Sequence, residues 1–184
     1  MNKVLIVYRS KYGATKKYVD MLRDELDCDV MESRDHSGIE FEKYRGIIFA
    51  GGIYASGISG LDVLRKNYKR LKAQRVAVFC VGASPFDEKA ILEIKNHNLQ
   101  GELTDIPVFY GRGMWSESEM NLIDRTLCKM LQKSIAKKDA GLHEPWMKAL
   151  LSAVGQSCDW TDPKYLIPLI EYINTENVEP INVK

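Results

Sequence analysis

This sequence carries few of the residues that metal, disulfide or nucleic-acid chemistry requires. Its four cysteines, at 28, 80, 128 and 158, form no CxxC pair, so a zinc ribbon or a thioredoxin-type motif lacks its signature. Its three histidines, His36, His97 and His143, form neither HxxxH nor HxxE patterns, and no metal site is expected. Neither sign of charge dominates: 26 Lys plus Arg against 25 Asp plus Glu leave a net charge of +1, which argues against a dedicated nucleic-acid binder. The apolar run that follows Lys3 stops at Arg9, too short for a signal-peptide core and without a cleavage pattern. The longest uncharged stretch, residues 46–60, holds five glycines and is too short to span a bilayer. Internal repeats and low-complexity tracts are absent too. The expected location is the cytoplasm, with reduced thiols.

What is present is a globular composition, 45% apolar and 28% charged over 184 residues, the size of a single domain spanning 1–184. Strand-like runs alternate with helix-like ones. Residues 3–8 (KVLIVY), 46–51 (GIIFAG), 75–81 (RVAVFCV) and 106–111 (IPVFYG) are near-continuous apolar runs, the mark of strands covered on both faces. Residues 28–32 (CDVME) read as a shorter edge strand. Between them, Ala14, Tyr18, Met21, Leu22 and Leu26 follow helical 3–4 spacing, as do Leu61, Leu64, Tyr68 and Leu71. Ser84-Pro85-Phe86-Asp87 reads as a capping box ahead of Ala90, Ile91 and Ile94, and Ser116 with Glu119 as a second one ahead of Met120, Ile123, Leu127 and Met130. A last helix is expected near Asp162-Pro163, with Pro168 either kinking it or delaying its start. The alternation predicts an α/β doubly wound parallel sheet, with ligands beyond the carboxyl ends of its strands. Residues 112–158 exceed a simple crossover and read as a helical insertion.

The loop after the first strand, Ser10-Lys11-Tyr12-Gly13-Ala14-Thr15, leads directly into a helix. Unpaired N–H groups and the helix dipole favour an anion there, Gly13 permits close approach, and Ser10 and Thr15 each offer a hydroxyl. Such a turn can cradle a phosphate. It can equally be an ordinary strand-to-helix turn with Ser10 as the cap. Rival phosphate loops fit worse. GxxxxGK[ST] and GxGxxG are both missing from this turn, and Gly111-Arg112-Gly113 further on is a lone GxG, which reads as a plain turn. A phosphatase loop would need a cysteine here, and a receiver domain would need acids where this chain has Arg9-Ser10.

At this point the residues resemble a known family. Ile6-Val7-Tyr8-x-Ser10-x-x-Gly13-x-Thr15, with Leu22 seven residues on, resembles the FMN-phosphate signature of flavodoxins; Val19 stands where the helix alanine is usual. The resemblance covers nearly the whole chain and implies a flavodoxin-like five-stranded sheet of order 2-1-3-4-5. It implies FMN as cofactor, with its phosphate on Ser10, Lys11, Tyr12, Gly13, Ala14 and Thr15. The flavin ring would lie between the loops after the third and fourth strands, touching Gly52, Ile53, Tyr54 and Gly57 on one side and Gly82, Ala83 and Ser84 on the other. Tyr54 is the stacking candidate. Ser84 has a rival role as helix cap, and Trp115 serves either as the far wall of the ring site or as a staple to the next helix. No catalytic side chain is assigned, because the cofactor carries the chemistry.

Gly51-Gly52-Ile53-Tyr54 and Tyr110-Gly111-Arg112-Gly113-Met114-Trp115 resemble most the branch of menaquinone-dependent protoporphyrinogen oxidases. That branch implies an FMN-dependent oxidoreductase, oxidising protoporphyrinogen IX with a quinone acceptor in heme biosynthesis. The alternatives are a flavodoxin-type electron carrier serving redox partner proteins and a flavin-free interaction module of the same fold. Near-neutral charge departs from typical flavodoxins, which are acidic. Two basic clusters stand out. Arg65, Lys66, Lys69, Arg70, Lys72 and Arg75 read as a solvated helix face. Arg125, Lys129, Lys133 and Lys137 recur every four residues and are followed by Trp146, Met147, Leu150, Leu151 and Val154. Residues 125–154 thus read either as helices packed on their own domain or as a peripheral contact with the inner face of a membrane.

Overall fold

The chain is described from a computed structural model, over residues 3–34, 38–71 and 74–175. His36 and Lys72 lie outside those residues. The apolar runs form five parallel strands: β1 (Val4–Arg9), β2 (Cys28–Glu32), β3 (Gly46–Tyr54), β5 (Arg75–Gly82) and β6 (Val108–Arg112), in spatial order β2-β1-β3-β5-β6. This is the expected 2-1-3-4-5 sheet. Successive side chains of each strand point to opposite faces, so a continuous apolar run supplies two cores. Leu5, Val7, Phe49 and Val78 face one side, under α2 (Leu61–Asn67) and α3 (Glu88–Asn98). Val4, Ile6, Ile48 and Phe79 face the other, under α1 (Ala14–Glu25) and α6 (Ile167–Asn174).

The third strand runs three residues past its expected end. It folds back as an antiparallel hairpin with β4 (Gly57–Ile58), pairing Ile53 with Ile58 and Tyr54 with Gly57. What read as a loop after that strand is therefore mostly strand and hairpin. Both expected capping boxes are corrected. The cap of α3 is Asp87, whose carboxylate accepts from Ala90 N, and Ser84 lies outside the helix. The next helix, α4 (Leu122–Ala136), is capped by Asn121 through Asp124 N, while Ser116 belongs to a strand. In both cases an Asx side chain immediately before the helix reaches the N–H three residues on, ahead of a more distant serine. The last helix starts late: Asp162 caps a 3₁₀ turn, Pro163–Leu166, and α6 follows with Pro168 in its first turn, where no N–H is needed.

The insertion is not purely helical. Its ends are joined by a two-stranded ribbon, β7 (Met114–Ser116) with β8 (Ser157–Asp159), in which Trp115 opposes Cys158. From this base α4 and α5 (Pro145–Ser152) project and pack on each other. Lys17 of α1 pairs with Asp159 and anchors the ribbon. Among the described residues, no helix is long and apolar enough to cross a membrane.

Candidate functional site

From β1 the chain leads through α1 outward to β2 on one side, and β3, β5 and β6 continue on the other. The order therefore reverses between β1 and β3, and the crevice beyond their carboxyl ends is where such sheets take ligands. Three segments meet there: residues 10–15, the β3–β4 hairpin, and residues 82–84.

The first segment is an open turn. Gly13 stands at the N-cap of α1 with φ +90°, a backbone conformation that an L side chain resists. A Cβ built on it would meet nothing within 4 Å among the described residues. No side chain caps the helix at Gly13, and its first turn holds no acid, so the dipole there stays positive. Ser10 is not the N-cap: its Oγ reaches deeper, accepting from Lys16 N at 3.3 Å. Thr15 is 3% exposed.

Residues 112–158 reach one flank of this turn, at Lys11 and Tyr12. The Lys11 ammonium and the Tyr12 hydroxyl both donate to the Asp124 carboxylate, in the first turn of α4. The hydrogen bond from Lys11 holds Asp124 below the usual carboxylate range, helped by Tyr12, and Asp124 in turn raises the Lys11 ammonium. Lys11 Nζ stands 5.4 Å from the Tyr12 ring centre and 5.5 Å from that of Tyr54, within cation–π reach of both. Burial pushes the Tyr54 hydroxyl up to about 12. The Tyr54 ring lies against the bare Cα of Gly52: a Cβ there would come within 2.9 Å of Tyr54 Cε2. Tyr54 is nonetheless 39% exposed, an aromatic face available at the mouth of the crevice.

The second and third segments are held from behind by residues that sequence reasoning passed over. At the hairpin tip Ala55 and Ser56 have φ of +46° and +65°, the left-handed pair of a tight two-residue hairpin. Asn98, at the end of α3, pins that hairpin, accepting from Ile58 N at 2.8 Å and donating to Ser56 O at 2.6 Å. Its signal was visible: it continues the apolar stripe of Ile91 and Ile94 with a polar side chain. In residues 82–84 every carbonyl is engaged. Tyr110 OH donates to Gly82 O and Ser84 O, and Arg112 Nε donates to Ala83 O at 3.1 Å. Arg112 is itself stacked on Trp160, 3.9 Å from the ring centre. These two residues lay in view within the motif at 110–115, but their role depends on which loop β6 adjoins.

Ile53 and Gly82 come side by side, for a Cβ on Gly82 would stand 3.3 Å from Ile53 Cδ1. Trp115 is 8% exposed, and its indole N–H has no hydrogen-bond partner among the described residues. The adjoining Gly113 packs on Ala14 at the start of α1, where a Cβ would stand 3.1 Å from Ala14 Cβ. An orphaned buried donor costs free energy that a bound acceptor would recover. An open helix N-terminus without an acid, a rigid loop and an unused donor together suit a phosphoester with an attached ring.

A family model for the flavodoxin domain matches residues 5–141. The chain belongs to the flavodoxin-domain family. Its α/β architecture is the flavodoxin-like doubly wound sheet, with a helical region towards the C-terminus. No curated relative matches it. Among solved structures it is similar to a flavoprotein in complex with FMN from Lactobacillus acidophilus (20% identity, 61% of this chain and 93% of that one, TM-score 0.42). It is also similar to a flavodoxin, WrbA-like protein from Agrobacterium tumefaciens (21% identity, 68% and 88%, TM-score 0.39). A third is oxidised flavodoxin 1 from Bacillus cereus (16% identity, 59% and 84%, TM-score 0.37).

This flavodoxin domain carries one further feature at the crevice. A cavity of ≈850 Å³ opens beside residues 82–85 and Ile53, walled by α3 and roofed by Leu131 of α4 and by Pro145 and Trp146 of α5. Its wall bears three carboxylates, Asp87, Glu93 and Glu144, against Lys89 and His97.

Proposed function

We propose that this protein is an FMN-dependent oxidoreductase, with the cofactor's phosphate on residues 10–15 and its ring between the β3–β4 hairpin and residues 82–84. The observation that carries the reading is the acid-free start of α1 at the switch point of the sheet, opened by Gly13 in the left-handed conformation with no side chain of its own to cap the helix. In this reading the N–H groups of that turn, with the Ser10 and Thr15 hydroxyls, bind the phosphate. Trp115, in the neighbouring ribbon, stands as the far wall of the ring site. Gly52, Ile53, Tyr54 and Gly57 form one wall of the ring site, and Gly82, Ala83 and Ser84 the other. FMN, when bound, supplies hydride or single-electron transfer at its ring. The chain's own groups position it: Asn98 fixes the hairpin, and Tyr110 and Arg112 fix the opposite loop.

Two finer readings divide this function. A flavodoxin-type carrier hands electrons to a partner protein and needs no substrate cavity. The ≈850 Å³ cavity starts at the ring-site residues Ile53 and 82–84 and continues past them to α3, Leu131 and Trp146; that extension supports instead an enzyme acting on a small organic molecule. Within that class, oxidation of protoporphyrinogen IX with a quinone acceptor is the reading that the motifs at 51–54 and 110–115 support. Asp87, Glu93 and Glu144 in the wall suit an uncharged quinone better than a propionate-bearing tetrapyrrole. In this reading the quinone would occupy the part of the cavity beyond the ring loops.

The first test is reconstitution. The purified protein titrated with FMN should turn yellow and quench flavin fluorescence, with inorganic phosphate competing. A protein that binds no FMN overturns the proposal and leaves the interaction module. Turnover of protoporphyrinogen IX with a menaquinone analogue then separates enzyme from carrier, and its absence in a flavin-loaded protein favours the carrier.

A further inference from the structure

The helix α4 exposes a face that the fold leaves uncovered. Of eleven exposed large apolar side chains among the described residues, five lie on this one helix: Leu122, Ile123, Leu127, Met130 and Leu131. Ile123 and Leu122 are 72% and 77% exposed. Residues on a helix turn by about 100° each, so Ile123, Leu127, Met130 and Leu131 share an arc roughly 100° wide. Ile135 and Gln132, buried at 1% and 7%, mark the side turned to the protein.

Lysines border one edge of this face. Lys129, Lys133 and Lys137 occupy the adjoining arc, all exposed and without an ion-pair partner among the described residues. The acid of α4, Asp124, is held by Lys11 and Tyr12, and Arg125 donates to the carbonyls of Glu117, Ser118 and Met120. Residues 122–148 carry six basic and three acidic side chains. The two acids beyond the helix are both engaged: Asp139 accepts from Gly141 N, and Glu144 from Trp146 Nε1. The following helix contributes less than its sequence promised. Met147 of α5 is 7% exposed and turned inward, and Trp146 lines the cavity.

We infer that α4 is a docking surface for an anionic phospholipid bilayer. An apolar arc with lysines along its margin lies flat in the headgroup region, its apolar side chains entering the acyl boundary and its ammonium groups meeting lipid phosphates. The charge pattern selects this occupant, since a bilayer surface rich in anionic lipid complements an unpaired lysine row. Leu131 belongs both to the exposed face and to the cavity beside residues 82–85, so a docked bilayer lies next to the cavity's roof. The inference is independent of flavin and holds for a carrier as well as for an enzyme.

The test is flotation of the purified protein with vesicles of phosphatidylglycerol and phosphatidylcholine, against vesicles of phosphatidylcholine alone. The wild type should float with the anionic vesicles and not with the neutral ones, and salt should weaken its binding. Each lysine near an anionic surface is worth about five-fold in partitioning, so K129Q/K133Q/K137Q should bind about 100-fold less. Leu127→Ser with Met130→Ser should abolish binding while leaving the melting temperature in place, since both side chains already face solvent. If that pair does not fold, the lysine variant decides alone. Failure of the wild type to float with anionic vesicles, or flotation indifferent to these variants, overturns the inference. So does a dimer on size-exclusion chromatography that the Leu127/Met130 variant splits, because the face would then be covered by a second copy.

Discussion

Replacing Asn98 by alanine tests how the β3–β4 hairpin is held. Asn98 is 5% exposed, and its side chain makes three hydrogen bonds: from Ile58 N at 2.8 Å, to Ser56 O at 2.6 Å and to Ile94 O at 2.8 Å. Alanine leaves the buried Ile58 N–H and the Ser56 carbonyl unmatched. An orphaned buried group costs about 1–3 kcal/mol, so the pair should cost about 3 kcal/mol once water reaches part of the gap. For a domain of this size that is a fall of roughly 6–12 °C in melting temperature. The hairpin tip stores strain at Ala55 and Ser56, about 1 kcal/mol each, which the Asn98 bonds hold in place. Without the pin the tip relaxes, and Tyr54 and Gly57 lose their fixed positions. FMN affinity should then drop about ten-fold, near 1.4 kcal/mol. Urea unfolding of the flavin-free proteins gives the first number, and flavin fluorescence titration the second. Asn98→Asp keeps the acceptor for Ile58 N but loses both donors and buries a charge. Burial raises such a carboxyl's pKa, so this variant should gain stability as pH falls. An Asn98→Ala protein within about 0.5 kcal/mol of wild type, with unchanged flavin affinity, would refute the reasoning.

Three further outcomes follow from named contacts. Thr15→Val keeps the shape of a side chain that is 3% exposed while removing its hydroxyl; FMN should bind about ten-fold or more weakly, with the chemical-unfolding midpoint of the flavin-free protein little changed. Gly111→Ala would set a Cβ 2.6 Å from Phe79 Cζ and 2.9 Å from Tyr18 Cε2, two rings buried in one core, and should destabilise by about 1–3 kcal/mol in thermal melts. Asp159 titrates at about 2: burial pulls it upward, but hydrogen bonds from Lys17 and Thr161 outweigh that. A depressed folded-state pKa gives stability that is present above the unfolded value, near 3.9, and is lost as pH falls towards 2. The Asp159 side chain is 44% exposed, so screening holds the effect to about 1 kcal/mol or less; Asp159→Asn should flatten the acid limb of a stability–pH curve by that amount.

The sheet was legible because its signal is local and repeated. Four unbroken apolar runs separated by helical spacing admit few architectures, and burial on both faces of β1, β3 and β5 is what such runs require. The turn at Gly13 was legible for a similar reason, since a strand, a glycine and hydroxyl residues lie within one short stretch. Both helix caps were misread where a serine competed with a nearer Asp87 or Asn121, because capping depends on which side chain the backbone actually presents.

The sequence by itself thus determined the doubly wound layering and the place of the open turn at Gly13, through hydrophobic periodicity and the backbone needs of one short loop. Only the tertiary structure decided what surrounds that turn. Asp124 reaches Lys11 across more than a hundred residues, Asn98 holds a hairpin forty residues before it, and Tyr110 and Arg112 brace a loop of the neighbouring strand. Whether the apolar residues of α4 and α5 turn inward, as Met147 does, or outward, as Ile123 does, was likewise settled there. The physical reason is the same in each case: such contacts are set by chain crossings and helix rotation, which no local pattern encodes.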